Sequence, residues 1–182
     1  EQFAVLGFSM GGKCALHLAQ TMPQKITALW LLASDGIKTN KIYNVAVYPR
    51  WGRSLFKTTI QHPAWLFAVV NIANKLRLLS PWLKKFTYNH METKEKRERL
   101  YHTWISMAAF NPDISLVKKQ INQHQIPVLL FFGKRDEVIP VAVGEFFAEG
   151  LSSCLLTRLE RGHYFIDEKI NPSLTAALQW LK

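Results

Sequence analysis

Three short stretches bring together the residue types that nucleophilic catalysis needs. Gly7-Phe8-Ser9-Met10-Gly11 has the G-x-S-x-G pattern and lies between an apolar run and a helical one. A serine on a tight strand-to-helix turn has strained backbone angles and close neighbours. Small residues at positions 7 and 11 are therefore expected to remove Cβ atoms that would clash. Ser9 then stands at the carboxyl end of a strand. The positive end of the following helix favours negative charge there, and the Met10 N–H points at a developing oxyanion. A serine hydroxyl is a weak nucleophile without a base, and the base needs an orienting acid. Asp136, in Gly133-Lys134-Arg135-Asp136-Glu137, and His163, in Gly162-His163-Tyr164, are of the right types. Each has a plainer reading: Ser9 a bystander in a glycine-containing turn, Asp136 a helix cap or surface turn, His163 a structural loop histidine. Asp35, in Ser34-Asp35-Gly36, is a rival acid because it too follows an apolar run.

The other five histidines have less to offer. His17 lies inside the helical stretch after the serine and reads as a packing or surface residue. His62, His90 and His102 sit in a basic segment, and His124 ends a helix. No pair of them has metal-ligand spacing with a cysteine or acidic third ligand, so no metal is assigned. Cys14 and Cys154 do not make a disulfide framework, which favours a reducing, cytoplasmic compartment.

The elements that must hold these residues follow from apolar patterning. Ala4–Phe8, Ile26–Leu32, Pro127–Phe132 and Cys154–Leu159 read as strands. Met10–Thr21, Ser115–Gln123, Val141–Leu151 and Ser173–Leu181 read as helices, the last with Pro172 at its tolerant first turn. Strands alternating with helices imply a parallel sheet covered on both faces. In such a sheet Ser9, Asp136 and His163 all fall just past carboxyl ends of strands, where open parallel sheets bind ligands. The longest apolar runs, Ile26–Ala33 and Ala64–Val70, are far shorter than the 18 or so residues of a spanning helix.

The 182 residues carry a net charge of +10, and all of that excess is local. Residues 37–110 hold 13 Lys/Arg against 3 Asp/Glu, whereas the remainder holds 10 of each. The same segment has four of the six tryptophans (Trp51, Trp65, Trp82 and Trp104) and reads as helical, without a strand. Positions 100, 101, 104, 105 and 108 share one apolar helical face. Glu92/Lys96 and Glu95/Arg99 are i,i+4 pairs on a solvated face. Three readings of the segment stand: a solvated helical lid, a surface that recruits anionic substrate or anionic lipid, and a nucleic-acid surface, for which no module pattern is present.

Gly-Phe-Ser-Met-Gly-Gly at 7–12, Phe-Phe-Gly-Lys-Arg-Asp-Glu-Val-Ile-Pro at 131–140 and Gly162-His163 together resemble the carboxyl-terminal part of an α/β-hydrolase fold protein, over nearly the whole chain. The resemblance implies an α/β-hydrolase core over residues 1–36 and 111–182: a mostly parallel sheet flanked by helices, interrupted by a basic helical cap at 37–110. It implies Ser9 as nucleophile, Asp136 as acid, His163 as base and Met10 as one oxyanion donor, with no cofactor. The family hosts esterases, lipases, thioesterases, carbon–carbon bond hydrolases, haloperoxidases and dehalogenases. Dehalogenases have an aspartate where this chain has Ser9. The implied function is a serine hydrolase acting on an ester or related acyl substrate through an acyl-enzyme. The alternatives are a non-catalytic ligand-binding protein and a carbon–carbon bond hydrolase using the same residues.

The family places several strands before the one that leads into the serine, and one of their loops carries a second oxyanion donor. This chain opens at Glu1 and enters an apolar run by Phe3. Those strands, that donor and any targeting segment are therefore expected upstream, and Ala4–Phe8 is expected to present an open edge. Residues 1–182 expressed alone are expected to aggregate or stay partly molten, and to be inactive.

Overall fold

A computed structural model of the chain describes residues 1–38, 41–78 and 81–181; the side chains of residues 81–83, 85 and 86, Trp82 among them, lie outside that description. Four apolar stretches form strands β1 (Phe3–Phe8), β2 (Ile26–Leu32), β3 (Val128–Gly133) and β4 (Cys154–Leu159). They pair in chain order and all are parallel. Parallel neighbours need a crossover rather than a hairpin. Helix α1 (Gly11–Thr21) supplies the first. Then follow α2 (Lys41–Val47), α3 (Arg50–Gln61), α4 (Ala64–Lys75), α5 (Pro81–Met91) and α6 (Lys94–Ser106). Helices α7 (Ile114–Gln123), α8 (Val141–Ala148) and α9 (Asn171–Trp180) complete the chain.

The chain divides into two compact units, Glu1–Lys38 with Phe110–Lys182, and Thr39–Ala109. In the first unit the strands alternate side chains between two buried faces. Leu29, Leu31, Val128, Leu130 and Phe132 face one layer with Leu16 of α1, Val117 and Ile121 of α7, and Phe147 of α8. Ala28, Trp30, Leu32, Leu129 and Phe131 face the other with Phe165, Ile170 and Ala177 of α9. Trp30 and Phe131 stack across neighbouring strands, 6.0 Å apart. β1 is an edge of the described sheet, and its Leu6 is exposed.

Five helix ends differ from the sequence reading: α1 begins at Gly11 rather than Met10, α9 spans Asn171–Trp180 rather than Ser173–Leu181, and two others have a visible cause. α8 stops at Ala148 rather than Leu151, because Gly150 adopts φ +77. α7 begins one residue early, at Ile114, where the Asp113 carboxylate caps the N–H groups of Ser115 and Leu116.

The second unit is helical throughout its described elements. Its buried apolar residues include Tyr43, Val47, Ile60, Val70 and Met91. Arg97 of α6 donates to the carbonyls of Ile60 and Met91, both at 2.9 Å. Leu100, Tyr101, Trp104, Ile105 and Ala108 are half-buried and His102, Thr103 and Ser106 exposed, as the single apolar face requires. Glu92 and Lys96 pair at 2.7 Å. The expected Glu95–Arg99 pair is absent among the described residues; Glu95 hydrogen-bonds with Thr93, the cap of α6, and Lys94 pairs with Glu98. Among the described residues no helix is long and apolar enough to cross a membrane.

Candidate active site

Ser9 is the hinge between β1 and α1, and its backbone takes φ +49. A side chain in that left-handed region costs about 1–2 kcal/mol, so the surrounding structure must hold it there. Three backbone hydrogen bonds do so. The Ser9 N–H donates to Leu32 O at 3.0 Å, and Ser9 O accepts from Gly12 and Asp35, both at 2.9 Å. Position 7 is crowded as expected: a Cβ on Gly7 would lie 2.7 Å from Gly11 O and 2.8 Å from Gly12 Cα. Position 11 is not, because a Cβ there meets nothing within 4 Å. The glycine that crowding requires is Gly12, whose Cβ would lie 1.9 Å from Ser34 Oγ. Gly11 begins α1 and Met10 is its cap, so the positive end of the helix lies beside Ser9, with the Gly12 N–H spent on Ser9 O and the Lys13 N–H on Met10 O.

The Ser9 side chain reaches His163 across 154 residues of sequence, Oγ to Nε2 at 3.0 Å. His163 Nδ1 lies 2.8 Å from Asp136 Oδ2. Oδ1 of the same carboxylate accepts from the N–H groups of Val138 and Ile139, each at 2.8 Å. Asp136 therefore makes the turn that its plainer reading foresaw and, with its other oxygen, holds the imidazole. Its side chain is wholly buried and that of His163 nearly so. An ionised carboxylate with both oxygens occupied fixes one tautomer: Nδ1–H donates to Asp136, and Nε2 is left to accept from the serine hydroxyl. Phe8 lies 5.4 Å from the imidazole and Tyr164 5.2 Å, ring centre to ring centre.

Two loops must meet for this pairing, and the backbone laces them together. Lys134 donates to Leu159 O at 2.8 Å and Arg135 to Arg161 O at 3.0 Å. A Cβ on Gly133 would come within 2.4 Å of Arg161 O, so only glycine permits the approach. Lys134 and Glu160 form an ion pair across the same two loops. Asp35, the rival acid, is placed differently. Its Oδ1 accepts from the N–H of Gly36 at 2.7 Å, while its own N–H holds Ser9 O. That contact to the serine backbone, and the left-handed Ala33 (φ +41) before it, had no signal in the sequence beyond the run of small residues Ala33-Ser34. The remaining histidines stay outside the arrangement. His17 sits edge-on to Phe110 at 5.5 Å, and His62, His102 and His124 are exposed. Burial, with Lys96 nearby, holds the His90 imidazole below its ordinary pKa. No cluster of three or more His, Cys, Asp or Glu placed to hold a metal occurs among the described residues.

A serine, an imidazole and a buried carboxylate in this order and at these distances can move a proton off the hydroxyl and stabilise the resulting charge. Comparison with known proteins agrees in fold. A family model described as the alpha/beta hydrolase fold matches residues 1–170. No curated protein sequence matches the chain. Among solved structures, a thermophilic esterase from Thermogutta terrifontis superposes with a TM-score of 0.61 at 17% identity. A hydrolase from Pseudomonas aeruginosa gives 0.59 at 20%. A 2-hydroxy-6-oxo-6-phenylhexa-2,4-dienoate hydrolase from Rhodococcus gives 0.56 at 20%. Each match covers 99% of this chain and 64% of the other, so the chain spans less than two thirds of the length of these proteins.

Proposed function

The chain belongs to the α/β-hydrolase fold family, and from that premise we propose that it is a serine hydrolase cleaving a small ester or related acyl compound. The observation that carries this reading is the unbroken relay from Ser9 Oγ through His163 to the buried Asp136 carboxylate. His163 Nε2 takes the hydroxyl proton as Ser9 Oγ attacks the acyl carbon. The imidazolium so formed keeps its Nδ1–H on Asp136, whose negative charge stabilises it. The Met10 N–H, at the positive end of α1, donates to the tetrahedral oxyanion. His163 then returns the proton to the leaving group, and the acyl group stays on Ser9. Water, deprotonated by the same imidazole, releases the acid and restores the serine. Asp136 acts by position: with Oδ1 already tied to two N–H groups it has no freedom to swing away from the ring.

An acyl-enzyme has a mass and a kinetic signature. Mixing the full-length protein with a p-nitrophenyl ester is expected to release a burst of nitrophenol, one per active site. Mass spectrometry of the quenched protein is expected to find the acyl group on Ser9. Ester turnover with no dependence on Ser9 would refute the reading. Turnover of a diketone-type substrate without ester turnover would move the assignment to carbon–carbon bond hydrolysis by the same three residues.

A further inference from the structure

Helix α4 has the sequence AWLFAVVNIANK, with its one charge at the last position. Its inner face is accounted for by Val70, which is buried, and by the half-buried Leu66, Phe67 and Ala73. The opposite face is apolar as well. Trp65, Val69, Ile72 and Leu76 recur at helical spacing, so they form one stripe, and they are 43%, 52%, 58% and 62% exposed. The polar residues of α4 are Asn71, Asn74 and Lys75, all exposed, and a helix apolar on opposite faces needs cover on both.

The end of α4 repeats the anomaly. Arg77 turns left-handed at φ 55, donating to Asn74 O at 3.1 Å, and Leu78 donates to Ala73 O at 2.9 Å. Helix α7 stops in the same way, with Gln125 at φ 52 and Ile126 donating to Ile121 O at 3.0 Å. In this kind of stop the last residue ordinarily folds an apolar side chain back under cover. Ile126 does so at 1% exposure, whereas Leu78 stands 77% exposed, beside an arginine where glycine is the usual choice.

Charge narrows the choice of occupant. From Ile37 to Met91 the sequence has nine Lys/Arg and not one Asp or Glu. A second copy of this surface would meet like charge. A nucleic acid would satisfy the cations and leave the apolar stripe in water. An anionic lipid surface satisfies both, with Trp at the headgroup level where that ring is favoured. Twelve residues of helix extend about 18 Å, too short for a hydrocarbon core of about 30 Å, so the helix lies in the interface instead of spanning it. We propose that α4 and its C-terminal turn form a docking face for an anionic membrane surface: Trp65, Val69, Ile72, Leu76 and Leu78 enter the interfacial layer, and Lys75 and Arg77 engage the headgroups.

Vesicle co-sedimentation of the intact protein tests this, using phosphatidylcholine vesicles with and without phosphatidylglycerol. Partitioning is expected to favour the anionic vesicles by about tenfold or more and to weaken as salt rises. Val69→Ser/Ile72→Ser is expected to reduce it about tenfold. Lys75→Gln/Arg77→Gln is expected to reduce it about 25-fold, on anionic vesicles only, at about fivefold for each cation. Both variants change exposed side chains and should keep the melting temperature and the turnover of a water-soluble ester. Binding that ignores the stripe, or that is equal on neutral vesicles, would overturn the proposal. So would an apolar-stripe variant that raises KM for a soluble ester or dissolves a dimer while vesicle binding persists.

Discussion

The two units of this chain spend their apolar residues differently. In Glu1–Lys38 with Phe110–Lys182, Leu29, Leu31, Val128, Leu129, Leu130, Phe131 and Phe132 vanish into layers above and below the sheet, and 11 Lys/Arg nearly balance 10 Asp/Glu. In Thr39–Ala109, 12 Lys/Arg face 3 Asp/Glu, while Trp51, Leu55, Trp65, Val69, Ile72, Leu76 and Leu78 stand exposed. One unit anchors a precise chemical arrangement to a sheet whose central strands are largely buried, even though Tyr164 beside His163 stays 82% exposed. The other keeps both charge and grease on its surface. The contrast shows that apolar periodicity identifies a helix without saying which of its sides meets water.

The comparison breaks most easily at the relay. In the full-length protein, Ser9→Ala or His163→Ala should lower kcat/KM on an ester by a factor on the order of 10⁵–10⁶. The melting curve should be unchanged for Ser9→Ala and lowered for His163→Ala, which empties a buried site and leaves the buried Asp136 carboxylate without its partner. Asp136→Asn should cost about 10⁴, through the wrong tautomer, and Asp35→Asn only a few-fold, since its carboxylate serves Gly36 and its backbone serves Ser9. Equal damage from the two aspartates would assign the acid wrongly. Next come the two equivalent helix stops. Denaturant unfolding should show Ile126→Ala losing about 2–5 kcal/mol and Leu78→Ala no more than about 0.5 kcal/mol. The glycine pair beside Ser9 gives a finer test. Gly12→Ala should cost about 1–3 kcal/mol by forcing Ser34 aside, and Gly11→Ala should gain up to about 1 kcal/mol. The smallest effect concerns Cys154, whose thiol burial pushes up to about 11. Thiol titration of the folded protein at pH 8 should therefore leave it unmodified on a timescale of minutes.

Much of the first unit was legible because its signals are local. β2 and β4 begin and end where the apolar runs do, and Ser9 announces itself by its glycines. What escaped depends on contacts between distant positions. Gly12 is required by Ser34, which lies 22 residues away on the continuation of β2, and nothing near position 12 separates it from Gly11. Asp35 and Asp136 both follow apolar strands. What distinguishes them is that the loop after β3 is laced to the loop after β4, through Lys134–Leu159 and Arg135–Arg161. The charge of the second unit was plain in the sequence. The exposure of Leu78 was not, because a leucine at a helix end ordinarily folds under it.

The relay itself is tested most directly by labelling the full-length protein with a fluorophosphonate, followed by peptide mapping of the adduct. Phosphonylation needs an activated serine and no particular substrate. One adduct per chain on Ser9 is expected, absent in Ser9→Ala and slowed by a factor on the order of 10³ or more in His163→Ala. An adduct on another residue, or labelling of Ser9 at an undiminished rate without His163, would contradict the account.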